Sequence, residues 1–242
     1  MKVLLFLPTY NEKDNLAKLI DNLNHLKFNK EILVVDDNST DGSLNIINEK
    51  IKLYKNIILI RRTGKKGRGL AGITALKYFI RSDHDILVEM DADFSHHPKY
   101  IPEFLKYFPK YDVVIGSRLV RHGGEQGRTI LRYIVTLLAN FFIRLLFRVK
   151  IKDCTSGFRA FKKETLLKLD FDNFFSVHFS ITEEILYGCI LTKAKMKEIP
   201  IIFHNRAGGE SKLNYKKIFL TFIGIIKIRL RGKKILKLVW KS

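Results

Sequence analysis

The chain reads as an α/β protein, a doubly wound sheet with helices on both faces. Two observations predict this. Over the first 120 residues, short apolar runs alternate with segments whose apolar residues recur at helical spacing, the strand–helix–strand pattern of a parallel sheet. The chain also has 242 residues at 46% hydrophobic, enough for one substantial core and short for two, with no repeat or low-complexity tract to divide it.

In order, Lys2 to Leu7 is the first strand, followed by a helix that places Leu16, Leu19, Ile20, Leu23 and Leu26 on one face. Strands follow at Glu31 to Asp36, Ile57 to Ile60, Asp85 to Met90 and Asp112 to Ile115. Between them lie helices near Asp41 to Tyr54, Leu70 to Arg81 and Pro98 to Phe108. Beyond residue 120 the pattern changes: Gly123-Gly124 opens a loop, a long apolar helix runs from about Thr129 to Phe147, and further α/β elements follow. The start, Met1 to Leu7, looks like a secretory leader, but Pro8 ends the apolar run and polar Asn11-Glu12 follow, so it is read as a strand. Cys154 and Cys189 form neither a Cys-x-x-Cys pair nor a Cys/His cluster, which speaks against zinc and a disulfide framework and for a reducing, cytoplasmic setting.

The net charge is +20, and half of it lies in residues 205 to 242, where eleven Lys/Arg face the single acid Glu210. There the charges interleave with Ile218, Phe219, Leu220, Phe222, Ile223, Ile225 and Ile226, then with Ile235, Leu236, Leu238, Val239 and Trp240. Basic and apolar together suit an anionic membrane surface. Tyr133 to Ile143 and Ile218 to Ile226 are the longest uncharged stretches, too short to span a bilayer, so the chain is expected to lie on a membrane. Residues 1–215 are then the folded domain and 216–242 a basic amphipathic tail. Nucleic acid is not an expected partner, because no helix-turn-helix or RNA-binding signature accompanies the charge.

Where the apolar run Ile86 to Val88 stops, Asp91 and Asp93 stand one residue apart, and strand alternation would point both the same way from the strand's carboxyl end. Two hard oxygen ligands suit Mg²⁺ or Mn²⁺, which take remaining ligands from water and substrate phosphates. Gly67-Arg68-Gly69-Leu70-Ala71-Gly72 fits a dinucleotide fingerprint, but it follows the third strand rather than the first. Its loop carries Lys65, Lys66 and Arg68, a cationic lid better matched to a diphosphate. No Walker A sequence occurs.

The motifs accumulate in order: Pro8-Thr9-Tyr10-Asn11-Glu12, Val34 to Gly42, the run Asp91 to Pro98, Gly116-Ser117-Arg118, Thr155 to Arg159, and Arg206 to Leu213. Over roughly residues 1 to 215 the combination resembles family 2 glycosyltransferases, and more narrowly the group that transfers mannose to dolichyl phosphate. The resemblance implies a GT-A, Rossmann-like nucleotide-diphospho-sugar transferase sheet, with amphipathic interfacial helices added. It implies that Pro8, Tyr10 and Glu12 cradle the nucleoside with Val35 and Asp37 beside the base, although Glu12 and Asp41 also suit helix caps. Asp91, Ala92 and Asp93 would hold the metal-bridged diphosphate, with Ser95, where some relatives carry Gln, a third candidate for the metal shell. His96 and His97 are explained as well by a turn before Pro98 and are left out.

By the same resemblance Asp93, Arg118 and Arg206 are the catalytic candidates. Arg118, Arg206 and Lys212 would meet the donor, Lys212 when the Gly208-Gly209 loop closes. Arg118 with Arg132 and Thr136 would hold the acceptor phosphate, each arginine having an ordinary surface ion pair as its alternative. The implied reaction is inverting transfer of mannose from GDP-mannose to a polyprenyl or dolichyl phosphate at the cytoplasmic face of a membrane. UDP-glucose and UDP-N-acetylhexosamine remain open as donors, as does a separate membrane-anchoring subunit. A phosphate acceptor is already anionic and needs no general base; a sugar-hydroxyl acceptor would need one, for which Glu183 or Glu184 stands ready. The helix near residues 129–149 would be an interfacial element, with burial in the core as its alternative. A processive polysaccharide synthase is disfavoured, since Gln-x-x-Arg-Trp is absent. A noncatalytic lipid- or nucleic-acid-binding protein using the basic tail is the rival from another class.

Overall fold

A computed structural model describes residues 1–177, 180–205 and 215–237, and for 215–221 the backbone only. Strands β1 (Val3–Thr9), β2 (Lys30–Asp36), β3 (Ile57–Arg61), β4 (Ile86–Glu89) and β5 (Val113–Ser117) alternate with helices α1 (Lys13–Asn24), α2 (Ser43–Leu53), α3 (Arg68–Arg81) and α4 (Ile101–Lys106). After β5 come the short strand β6 (Gly124–Gln126), the long helix α5 (Ile130–Phe147), β7 (Arg159–Lys162), α6 (Lys163–Leu166) and α7 (Ile181–Leu191). Strands β8 (Met196–Pro200) and β9 (Ile202–His204) and helix α8 (Tyr215–Arg231) complete the described elements.

The main sheet has the order β3-β2-β1-β4-β7-β5-β8. All its pairs are parallel except those made by β7, which runs antiparallel between β4 and β5. Strand alternation sorts the core onto two faces. Leu4, Phe6, Leu33 and Val35 pack with Ala75 and Phe79 of α3, Ile143 of α5 and Ile185 of α7. Val3, Leu5, Leu7 and Val34 pack with Leu16 and Leu19 of α1, Ile47 of α2 and Phe104 of α4. Helices therefore cover both faces, as the sequence predicts.

The apolar residues of the basic segment divide. Ile225, Ile228, Ile235 and Leu236 are buried in the same core as α7, and Leu236 bridges to Leu169. Ile226 and Leu230 are exposed among the exposed cations Lys227, Arg229, Lys233 and Lys234. The segment is thus stitched to the domain on one side and basic on the other. Ile228→Ala is expected to lower unfolding free energy by about 2–4 kcal/mol, the cost of a core cavity; in a urea titration, a loss near zero would show that α8 is not docked.

Candidate active site

In the order β3-β2-β1-β4 the chain moves outward from β1 in one direction, then crosses to its other side. That reversal leaves a crevice between the loops after β1 and β4, the place where open α/β sheets collect ligands. Tyr10 and Glu12 follow β1, Asp37 follows β2, and Asp91 and Asp93 follow β4.

The acidic pair lies beyond the strand, so alternation does not orient it. β4 ends at Glu89 and residues 92 to 96 form a bend in which Phe94 adopts φ 60°, a conformation costly for a bulky residue. The two carboxylates have different surroundings. Asp93 is buried, and its Oδ1 accepts from the Ser95 amide at 3.0 Å and the Ser95 hydroxyl at 2.6 Å. Asp91 is partly exposed and pairs with Arg68 at 3.0 Å. The Ser95 hydroxyl donates to Asp93 and so orients that carboxylate. Among the described residues no three His, Cys, Asp or Glu side chains gather to hold a metal. Two carboxylates at the mouth of a crevice form an open site, which suits a hard cation that takes its other ligands from a diphosphate.

His96 is closer to this chemistry than sequence reasoning placed it. It is buried, stacked on Phe158 with ring centroids 5.1 Å apart, and its Nδ1 accepts the Asp91 amide at 3.1 Å. Burial lowers its affinity for a proton below the usual histidine range. His97 does serve the turn: its Nδ1 accepts from the Lys99 amide at 3.1 Å.

On the nucleoside side, Tyr10 is 47% exposed, with the Lys66 ammonium 4.2 Å from its ring centre. Asp37 accepts from Arg62 and from the Gly67 amide, tying the cationic loop to β2. Val35 is wholly buried in the core, and Ala92 almost wholly. Pro8 is half-buried in β1. Of the two capping alternatives, Asp41 is a cap: its carboxylate accepts the amides of Lys13 and Ser43 at the starts of α1 and α2. Glu12 makes no side-chain cap to α1.

Arg118 is buried and bound by the protein itself. Its Nε and Nη2 meet Asp153 at 2.8 and 2.7 Å, Nη2 also donates to Thr155, and Nη1 stands 3.0 Å from Glu125. Burial alone would raise the Asp153 carboxyl, but Arg118 outweighs it and holds the carboxyl below its usual range. Arg118 still lies within the electrostatic reach of Asp91. On the far side of Glu125 stands Arg128, which sequence reasoning missed: it pairs with Glu125 at 2.5 Å and donates to the Thr136 hydroxyl at 3.3 Å. The guanidinium on Thr136 is therefore that of Arg128, while Arg132 receives the Thr136 hydroxyl on its backbone carbonyl at 3.0 Å. Arg206 and Lys212 lie outside the described residues.

Beneath the crevice lies a set of buried charges. Arg159 of β7 stands opposite Glu89 of β4, and its Nη1 and Nη2 donate to the carbonyls of Thr182 and Cys154. Glu184 accepts the amides of Phe175 and Ser176, which ties it to the loop before α7. Glu183 has a buried Oε2 without a hydrogen-bond partner. Burial pushes its carboxyl up to about 7 against the pull of Arg159 and Arg68.

A nucleotide-sugar transferase of the GT-A type is the class that this sheet and its acidic crevice define. The chain belongs to glycosyltransferase family 2, whose profile, Glycosyl transferase family 2, matches residues 5–169. It is 31% identical over 214 residues, 88% of either chain, to the undecaprenyl-phosphate mannosyltransferase of Micrococcus luteus. It is likewise 31% identical over 234 residues to the polyprenol monophosphomannose synthase of Mycolicibacterium smegmatis, covering 96% of this chain and 88% of that one. Among solved structures, the glucosyl-3-phosphoglycerate synthase of Mycobacterium tuberculosis, in complex with Mn²⁺, UDP and glucosyl-3-phosphoglycerate, superposes with a TM-score of 0.67 at 17% identity. That superposition covers 98% of this chain and 81% of the other, and it shows the shared fold.

Because the folded value of Glu183, about 7, exceeds the ordinary 4.5, the folded state holds this proton more tightly than the unfolded state. The resulting stabilisation is complete below pH 4.5 and is lost as pH rises through 7. Glu183→Gln is expected to flatten that part of the pH dependence of the urea midpoint; an unchanged slope would contradict the placement.

Proposed function

We propose that this glycosyltransferase transfers mannose from GDP-mannose, with inversion, to the phosphate of a polyprenyl or dolichyl phosphate at the cytoplasmic face of a membrane. The observation that carries the reading is a chain of polar contacts, Arg118–Glu125–Arg128–Thr136, that ends on an exposed apolar helix. Arg118, within reach of Asp91's charge, shares Glu125 with Arg128, and Arg128 reaches Thr136 on α5. One end of this chain suits a nucleotide diphosphate and the other a lipid. The names of the two mannosyl-transferring relatives support the sugar and the acceptor.

In this reading Asp91 and Asp93 hold Mg²⁺ or Mn²⁺, which supplies charge neutralisation to the departing diphosphate. Tyr10, Glu12 and Asp37 receive the nucleoside, with Pro8, Val35 and Ala92 shaping the strand ends around it. Arg118, Arg128 and Thr136, with Arg132 nearby on α5, position the acceptor phosphate, while Arg206 and Lys212 close over the donor. The acceptor oxygen is anionic at neutral pH and attacks without a base. That requirement agrees with a Glu184 spent on backbone amides and a Glu183 buried below the crevice.

Helix α5 supplies the lipid side. By length and composition its 18 residues suffice to cross a bilayer, which counting only uncharged stretches conceals. Its inner face is nevertheless tied down: Asn140 accepts the Cys154 amide at 2.6 Å and donates to Thr155, and Ile143 and Phe147 are buried. The outer face exposes Leu138, Phe141 and Leu145 by 60–69%, beside exposed Arg144 and Arg148. Such a helix lies along an interface with its cations among anionic headgroups. Helix α8 packs alongside, with Phe222 edge-on to Phe142 at 5.0 Å, and extends the basic apolar surface.

Label carried from a GDP-mannose donor into the organic phase by short polyprenyl phosphate, with Mg²⁺ or Mn²⁺, is the expected outcome of the direct assay. Product confined to the aqueous phase would move the acceptor to a sugar hydroxyl. Asp91→Asn and Asp93→Asn are each expected to abolish metal-dependent turnover with the fold intact by circular dichroism; full activity would sink the metal assignment. Replacing Leu138 and Phe141 together by Glu removes roughly 3–6 kcal/mol of apolar burial in lipid. The purified double variant should therefore no longer sediment with anionic vesicles, and retained binding would place the anchor elsewhere.

A further inference from the structure

A cationic side chain underlies the acidic pair. Arg68 opens α3 and its side chain is only 14% exposed. Its Nε and Nη2 both donate to Asp91 Oδ1, at 3.3 and 3.0 Å. Its Nη1 stands 3.2 Å from Glu89 Oε1 and donates to Thr182 Oγ1 at 3.3 Å. Gly157 lies against it: a Cβ there would stand 2.8 Å from Nη2, so the guanidinium would have to shift. The end of β4, the loop before β7 and the start of α7 thus converge on one guanidinium.

A fixed cation beside a carboxylate that is to hold a divalent metal has two opposed effects. Its charge repels the metal, while its planar fork immobilises the carboxylate that the metal needs. Contacts that orient a metal ligand typically change metal affinity 10- to 100-fold when lost. Arg68 grips one oxygen of Asp91 with two nitrogens while Nη1 lies against the buried Glu89 behind it, an arrangement specialised for orientation. We propose that Arg68 is a positioning residue: held in place by Glu89, Thr182 and the gap at Gly157, it sets the side-chain conformation in which Asp91 meets the metal. This inference rests on the reading of Asp91 as a metal ligand.

The test is binding of Mn²⁺ alone to the full chain in detergent, without nucleotide, read from the loss of the free-ion electron paramagnetic resonance signal. Asp91→Asn is expected to weaken binding about tenfold or more. Arg68→Gln, Arg68→Lys and Gly157→Ala are each expected to weaken it about tenfold. Lysine keeps the charge without the fork, and the alanine methyl displaces the guanidinium while leaving both charge and residue in place. If Arg68→Gln fails to fold, as judged by its melting transition, the other two variants carry the test. Unchanged or tighter binding in the Arg68 and Gly157 variants, with Asp91→Asn weakened, would overturn the positioning role and leave the metal assignment standing. Unchanged binding in Asp91→Asn would remove the assignment and the inference with it. A contact made by Arg68 to the donor alone would leave the Mn²⁺ affinity of all three variants at the wild-type value, which also overturns the proposal.

Discussion

Parallel pairing of β1 with β2 on one edge and β4 on the other is the constraint from which the site follows. Parallel strands end on the same side of the sheet, and the helices that return the chain must diverge on either side of β1. The loops after β1, β2 and β4 are thereby held around a cleft that no side chain of the core can fill. Each loop then places polar groups where backbone amides and carbonyls are already unpaired by the ladder. The bend at residues 92 to 96, the left-handed Asn11 and Asn38, and the Asp41 cap are local solutions to leaving the sheet at that edge.

Charge burial is the second organising fact. Arg68, Arg159, Glu89 and Glu183 lie beneath the cleft with little solvent, and Arg118, Glu125 and Asp153 form a second buried set beside it. An unpaired ion in such surroundings costs several kcal/mol, and each group meets that cost in its own way: Arg68 pairs with Glu89, Arg118 with Asp153 and Glu125, Arg159 donates to backbone carbonyls, and burial raises Glu183 toward its neutral form. Antiparallel insertion of β7 is what brings Arg159 opposite Glu89, one strand away from the acidic pair. The core below the site is therefore ionic where a purely structural core would be apolar, at some cost in stability. Its consequence is a set of carboxylates and guanidinium groups with few alternative conformations, held ready around the cleft.

The exposed face of α5 is explained by the same economy of contacts. Polar Thr136 and Asn140 occupy its inner side and are satisfied there by Arg128 and by the Cys154 and Thr155 loop, so the helix docks through hydrogen bonds as much as through Ile143 and Phe147. Its large apolar residues are left outside, a patch unusual for a surface in water. Because the Thr136 that receives Arg128 is also on this helix, the apolar patch and the Arg118–Glu125–Arg128 cluster are fixed relative to each other.

The alternation of strands and helices was legible from the sequence because each β–α unit obeys a local period, and the acidic pair stood out because it ends an apolar run within an ordered series of motifs. Lys65 and Lys66, read from the sequence as cations of the loop before α3, are exposed there. The sequence treated Arg68 as one more of them, whereas the fold turns it inward, since the vacancy at Gly157 is created by a segment 89 residues further along the chain. The same holds for Arg128 in place of Arg132 on Thr136, for Glu184 as a loop anchor, and for Ile228 and Leu236 as core residues of an apparently superficial tail. Sequence by itself determined the secondary structure, the two-faced sheet and the kinds of chemistry present, because these depend on neighbours a few residues apart. Only the tertiary structure decided which charge meets which, because pairing and desolvation are properties of groups distant in the chain and adjacent in space.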